Sequence, residues 1–172
     1  MMFQKNEYVM YETSGVCQIS DIACPDFAKA TERQYYFLKP LHSPCDCIYV
    51  PVGNETKLRI RKILTRDEAN KLISKIPELE AKWIDDDNVR EEAYKSALQS
   101  FDCYEWVKMI KSLYLKIDER KQDGKKPIQM DQKYMGMAED YLHGELSVAL
   151  DIPIEKVREH ISIRVHEVET EE

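Results

Sequence analysis

Few residues in this 172-residue chain have types and spacings that do chemistry, and each group was weighed for what it offers. His42-x-x-Cys45-x-Cys47 sets two thiols on one face of an extended run, with an imidazole in the turn before it. A metal would find three ligands there, but a fourth is missing and the spacing fits no common zinc pattern. We expect no metal; a thiol or metal sensor centred on Cys45 and Cys47 is an alternative reading. Cys103 stands near a helix start, where a thiol is mildly activated, although a small buried apolar residue is its ordinary role. Asp85-Asp86-Asp87 lacks the spacing of a calcium loop. The chain carries no phosphate loop, nucleophile triad or paired-carboxylate motif, so neither an enzyme nor a cofactor is expected. What remains is the chemistry of contact, in an extended run that ends in a proline and in a lone indole, Trp83.

The surrounding pattern supplies an α+β architecture. Residues 7–12, 16–22, 34–39, 45–50 and 58–60 read as five short strands, with Gly15 marking the first turn and residues 24–33 read as a loop. Five strands and no helix in this span indicate a small β-barrel. Pro51 lacks an N–H for a ladder and belongs at a strand end or sheet edge, so residues 45–50 read as an edge strand, with Gly53 and Asn54 turning the chain. Alternation sets Cys45, Cys47 and Tyr49 on one face and Asp46, Ile48 and Val50 on the other; it leaves open which faces out, and Ile48 and Val50 are the expected core pair, with Tyr49 then outward. The pattern changes at Thr65, where Thr65-Arg66-Asp67-Glu68 is a capping box. Helices are expected over 65–76, 88–100, 102–123 and 131–150, and a fifth from Pro153 to about 161. In the third, Trp106, Val107, Ile110, Leu113, Tyr114 and Ile117 share a face, and Gly124 caps its end. In the fourth, Tyr134, Ala138, Tyr141, Leu142 and Ala149 turn inward. Residues 166–172 are acidic and expected to fray. The domain bounds are 1–64, a capped helix and linker over 65–82, a helical domain over 83–165, and the tail.

Charge and composition narrow the class. The net charge of −7 argues against a stand-alone nucleic-acid binder. Five irregularly spaced cysteines make no disulfide framework, so reduced thiols in the cytoplasm are expected. No apolar run approaches the ~20 residues of a membrane span, and the first residues lack a signal-peptide core.

The ordered set Tyr8-Val9-x-Tyr11, Gly15-Val16, Tyr35-Tyr36-x-Leu38, Tyr49-Val50-Pro51-Val52 and Leu58-Arg59 precedes a capped helix, Trp83 and a helical half. That half contains Ile110-Lys111-x-Leu113-Tyr114 and Ala138-Glu139-x-x-Leu142-x-x-Glu145. The set resembles the CarD/CdnL family of bacterial transcription regulators across about residues 8–161. The resemblance implies a Tudor-like five-stranded barrel that holds the RNA polymerase β subunit. It also implies an all-α domain of four or five helices that touches promoter DNA at the upstream edge of the bubble and stabilises the open complex. On that basis Cys47, Ile48, Tyr49, Val50 and Pro51 are the polymerase-binding candidates. Trp83 is the candidate wedge at a base step, where a core indole is the ordinary alternative. Lys82, Arg90, Lys95, Lys111, Lys125, Lys126 and Lys133 are the candidate DNA contacts. Some relatives carry arginine at the position of Tyr49 and basic residues where this chain has Asp85–Asp87. Residues 108–126 hold seven basic and three acidic side chains, the one clearly positive segment. Free DNA should be bound weakly and without sequence preference. An adaptor that binds polymerase without touching DNA is the competing expectation, and the chain is expected to be a monomer or a domain-swapped dimer.

Overall fold

A computed structural model describes residues 3–12, 14–42, 46–53 and 57–171. The chain divides into two compact units, Met1–Leu64 and Thr65–Glu172.

The first unit is one antiparallel sheet of β1 (Tyr8–Tyr11), β2 (Gly15–Ala23), β3 (Tyr35–Pro40), β4 (Ile48–Pro51) and β5 (Ile60–Lys62). Its order is β4-β3-β2-β1-β5. The sheet curls as a half-barrel, and among the described residues β4 and β5 are its outermost strands. Phe3, Val9, Cys17, Ile19, Tyr36, Leu38, Val50 and Ile60 fill the concave side. The imperfect alternation of β2 has a local cause. The register slips between Ile19, opposite Leu38, and Asp21, opposite Phe37. Ser20 is the extra residue of a β-bulge, and its hydroxyl donates to the Phe37 carbonyl at 3.0 Å. The slip lets Ile19 and Ile22, three apart in sequence, serve the same core. Residues 24–33 are not wholly loop, because Asp26–Thr31 forms a 3-10 helix. Of the chain read as edge strand, Cys45 and the preceding Ser43 and Pro44 lie outside the described residues, as does Asn54 of the following turn.

The second unit is five helices: α1 (Arg66–Ser74), α2 (Asp87–Gln99), α3 (Cys103–Gln122), α4 (Gln129–Leu150) and α5 (Ile154–Glu171). Helix α4 packs against the other four. Its positions Tyr134, Ala138, Leu142, Leu146 and Leu150 are buried, as are Trp106, Val107 and Leu113 of α3, the helix it packs against most extensively. Trp106 is fully buried, and its Nε1 donates to the Ala97 carbonyl at 3.1 Å. Gly124, at φ +71°, closes α3 in a Schellman turn: Lys125 N–H donates to Arg120 O at 2.8 Å and Gly124 N–H to Lys121 O at 3.0 Å. Two expectations are corrected. Tyr114 is 61 % exposed and lies off the buried stripe. The acidic tail does not fray at 166, since α5 continues to Glu171, helped by an ion pair between Arg164 and Glu167 at 2.7 Å.

The capping box at Thr65 is complete: its Oγ1 accepts from Glu68 N–H at 3.2 Å while Glu68 Oε2 accepts from Thr65 N–H at 2.8 Å. Thr65→Ala removes half of this exchange. It is expected to cost about 1 kcal/mol of stability, measured as a lower urea midpoint with an unchanged slope.

Candidate partner edge and nucleic-acid interface

The outer edge of the sheet is built by register. Val52 N–H donates to the Gln34 carbonyl at 2.9 Å, and Tyr36 and Leu38 stand opposite Val50 and Ile48. Backbone groups of an antiparallel strand alternate in direction. Residues 48, 50 and 52 therefore turn their N–H and C=O groups to β3, and Tyr49 turns both of its own to the open side. Pro51 offers only a carbonyl there. The side chains sort as expected: Val50 is buried and Ile48 packs on the core, while Tyr49 is 45 % exposed. Cys47 lies just before the strand and is half-buried. Tyr49 does not stand alone. Its ring meets Phe37 across the strand pair at 4.8 Å and Phe27 of the 3-10 helix at 5.4 Å, and Phe27 meets Tyr35 at 5.3 Å, all edge to face. Phe27 is 65 % exposed. The convex face beside the open edge is thus an aromatic patch, and Phe27 and Phe37 are the residues that strand-by-strand reading missed. Their meeting depends on the 3-10 helix, which the sequence presented as loop.

The second constellation surrounds Trp83, in the segment 75–86 between α1 and α2. This segment has no regular structure, yet its carbonyls are occupied. Lys111 Nζ of α3 donates to Ile76, Pro77 and Leu79 oxygens at 3.0, 2.9 and 2.8 Å. Ser112 Oγ donates to Lys82 O at 3.0 Å. Arg90 Nη1 of α2 donates to Ile84 O and Asp85 O at 2.9 and 3.2 Å. The rest of Arg90 is equally engaged: Nε with Asp131 Oδ1 at 3.1 Å, and Nη2 with Asp87 Oδ1 at 2.6 Å. Tyr94 OH donates to the same Asp131 oxygen at 3.1 Å. Arg90 and Asp131 are each 2 % exposed. Burial opposes the guanidinium charge, but hydrogen bonds to Asp87 and Asp131 outweigh it and raise its pKa. Burial first, then the Asp131 charge, pushes the Tyr94 hydroxyl far above its ordinary value, so it remains a donor. The Trp83 ring is half-buried. It has the Arg90 guanidinium 4.4 Å and the Lys116 ammonium 5.2 Å from its centroid, and its Nε1 donates to Asp85 Oδ1 at 3.0 Å. A cleft of about 330 Å³ opens beside it, lined by Lys82, Tyr94, Lys108 and Ser112 among others.

The comparisons bear on the unit that carries the first constellation. Residues 3–64 match the family model described as the CarD-like/TRCF RID domain. The N-terminal unit is thus similar to a CarD-like/TRCF RID domain, and the match stops short of the helical unit. The match ends at Leu64, where the first compact unit ends, and bears out the resemblance to the CarD/CdnL type. A search of curated proteins finds no match. The RID domain class belongs to transcription-related proteins that interact with RNA polymerase. No helix among the described residues is long and apolar enough to cross a membrane.

Beyond the RID domain, the structure divides the candidate DNA contacts into two kinds. Arg90 and Lys111 are not surface cations. Arg90 is buried, and Lys111 spends three donors on backbone carbonyls, so neither is placed to meet a phosphate. The sequence displayed them only as basic residues, and tertiary contact reveals that they hold the segment that carries Trp83. The remaining lysines lie at the surface. Lys82 is 83 % exposed with Glu80 at 3.7 Å, Lys95 contacts Glu91 and Glu92, and Lys125 pairs with Asp123 at 3.1 Å. Lys126 is exposed, and Lys133 Nζ sits 5.3 Å from the Tyr134 ring. Such exposed pairs are weak, and these cations can exchange onto a phosphate. The acidic triplet is also accounted for: Asp85 holds the indole, Asp86 caps α2 by accepting from Asn88 and Val89 N–H at 2.9 Å, and Asp87 holds Arg90. Asp131→Ala leaves Arg90 buried without its inner partner. It is expected to destabilise the protein by about 3–5 kcal/mol, measured by chemical denaturation.

Proposed function

We propose that the chain is a non-enzymatic transcription regulator. It attaches to the RNA polymerase β subunit by strand addition at β4, and it brings Trp83 and surface lysines to promoter DNA at the upstream edge of the bubble, stabilising the open complex. The observation that carries the attachment is the register of β4 within a RID domain: the edge that ends in Pro51 turns the Tyr49 N–H and C=O to the open side. In strand addition, main-chain hydrogen bonds supply affinity and alternate side chains supply selectivity. Here the neighbouring side chains are Tyr49, Phe37 and Phe27, so the partner strand is expected to present apolar or aromatic groups to them. Attachment built on aromatic burial should also resist salt better than attachment built on ion pairs.

DNA contact follows from the second unit. The half-exposed Trp83 supplies an apolar face for a base step, and Lys82, Lys95, Lys125, Lys126 and Lys133 supply phosphate contacts. Residues 71–172 carry 16 basic and 23 acidic side chains, so little net positive charge is available to drive binding to free duplex. Attachment to polymerase offsets this, because tethering through an adjoining unit gives an effective concentration of up to roughly millimolar.

Three measurements test the proposal. Tyr49→Pro removes the outward N–H and leaves the inward donors of residues 48, 50 and 52 in place. The full chain with this change is expected to lose retention on RNA polymerase while keeping its melting temperature; undiminished retention would show that β4 is not the attachment edge. Separately, Trp83→Ala is expected to leave polymerase retention intact and shorten the lifetime of the open complex. Lys125→Glu with Lys126→Glu should remove any extension of the upstream footprint. Unchanged lifetime and footprint would establish the adaptor that does not touch DNA.

A further inference from the structure

We propose that Arg90 is a positioning residue for Trp83: it fixes the indole in its presented orientation before any DNA arrives. This rests on the reading in which Trp83 acts at the promoter. Arg90 lies seven residues from Trp83 in sequence, on the first turn of α2, and is 2 % exposed. Its planar group reaches four separate acceptors. Nε is anchored inward on Asp131 of α4, Nη1 bridges the consecutive carbonyls of Ile84 and Asp85, and Nη2 takes Asp87. Ile84 and Asp85 directly follow Trp83, so the bridge fixes the backbone on its C-terminal side. Ser112 fixes the preceding carbonyl, that of Lys82.

The guanidinium also lies 4.4 Å from the Trp83 ring centroid, within the range of cation–π attraction. Asp85 closes the loop. Its backbone oxygen accepts from Arg90, and its carboxylate accepts from Trp83 Nε1. Backbone, ring face and indole N–H are therefore tied to one buried cation, which is itself anchored on α4. The rotamer freedom that an indole gives up on meeting a partner is largely given up already. A lysine cannot reproduce this, because one ammonium lacks the fork that spans a carboxylate, two carbonyls and an aromatic face.

The test uses Arg90→Lys in the full chain. The protein has two tryptophans, and Trp106 is fully buried, so collisional quenching of fluorescence by acrylamide reports Trp83. The quenching constant is expected to rise in Arg90→Lys. With polymerase and promoter, retention is expected to stay native while the open-complex lifetime falls roughly fivefold, the size of one lost cation–π contact. The double variant Arg90→Lys/Trp83→Ala is expected to fall no further than Trp83→Ala alone, because a residue that acts through Trp83 has nothing left to act on. Native quenching in Arg90→Lys, or a double variant whose loss is the sum of the singles, would overturn the proposal. If Trp83→Ala alone leaves the lifetime unchanged, the promoter reading fails, and quenching still decides whether Arg90 holds the ring. Should Arg90→Lys fail to fold, Asp87→Asn is read in the same assays. It alters a 72 % exposed carboxylate that holds the outer Nη2. A smaller rise in quenching is expected from it, and a native value would overturn the proposal.

Discussion

A connection with no ladder of its own takes a fixed course only where its backbone groups find partners, and the half-buried segment 75–86 finds them in an uncommon way. It joins no sheet and continues no helix; beside a few turn bonds, its carbonyls are bonded by side chains of the helices around it. Lys111 and Ser112 are adjacent on α3, and they take the first half of the segment and its middle; Arg90 on α2 takes the end. These donors make a structureless connection into a strap of defined course. Without them the segment would be an ordinary flexible link, and Trp83 would have no fixed place. The cost is that two of the chain's cations, Arg90 and Lys111, are committed to the strap. The Arg90–Asp131 pair is held at the centre of the unit for the same purpose, with Tyr94 as a second donor to the carboxylate.

The RID domain relies on register in place of side-chain clamps. The bulge at Ser20 resets β2 so that Ile22 joins Ile19 in the core, and β3 inherits its faces from that pairing. Tyr36 and Leu38 go inward, and Tyr35 and Phe37 go outward. Strand β4 then follows β3, with Val50 opposite Tyr36 and Tyr49 opposite Phe37. A slip of one residue at any of these steps would turn the aromatic patch into the core and present Val50 to water. The open edge and the patch are thus fixed by the same pairing.

Much of the fold was legible because its signals are local. The capping box at Thr65, the glycine after α3 and the apolar period of α3 and α4 each act within a turn or two of chain. Alternation paired Ile48 with Val50 and set Tyr49 opposite them, but which face turns inward is settled only by packing on the sheet core. What the sequence hid is tertiary. Nothing within reach of Arg90 in sequence reveals Asp131, 41 residues away, or that its guanidinium is buried. Lys111 looked like a surface cation because its acceptors, the carbonyls of residues 76, 77 and 79, belong to no side chain and leave no trace in composition. Tyr114 was placed inward by its spacing, but the buried stripe of α3 narrows toward its second half and leaves the ring outside. Phe27 was overlooked because a 3-10 turn carries too little period to distinguish it from loop. The tail read as frayed from its charge, although i, i+3 pairing such as Arg164 with Glu167 supports a helix of mixed charge.

The acidic triplet beside Trp83 resolves in the same terms. In a chain whose second half is already negative, three more carboxylates at a DNA contact look self-defeating. Each, however, is bound to an internal donor: the indole N–H, the α2 amides or Arg90. Their charge faces a buried guanidinium and a helix N-terminus, whose partial positive charge favours anions there. What the strap presents is therefore the ring. An apolar ring displaces few counterions, so the contact it makes owes little to phosphate neutralisation and should vary only weakly with salt. On the proposed reading, such a contact would be feeble on its own and would gain occupancy only once the first unit had attached to polymerase. A negative helical unit is then consistent with the work asked of it. On the same reading, a low affinity for free duplex would confine the unit's action to DNA already held by polymerase, where the indole fixed by Arg90 and Asp85 would add its contact to those of the surface lysines.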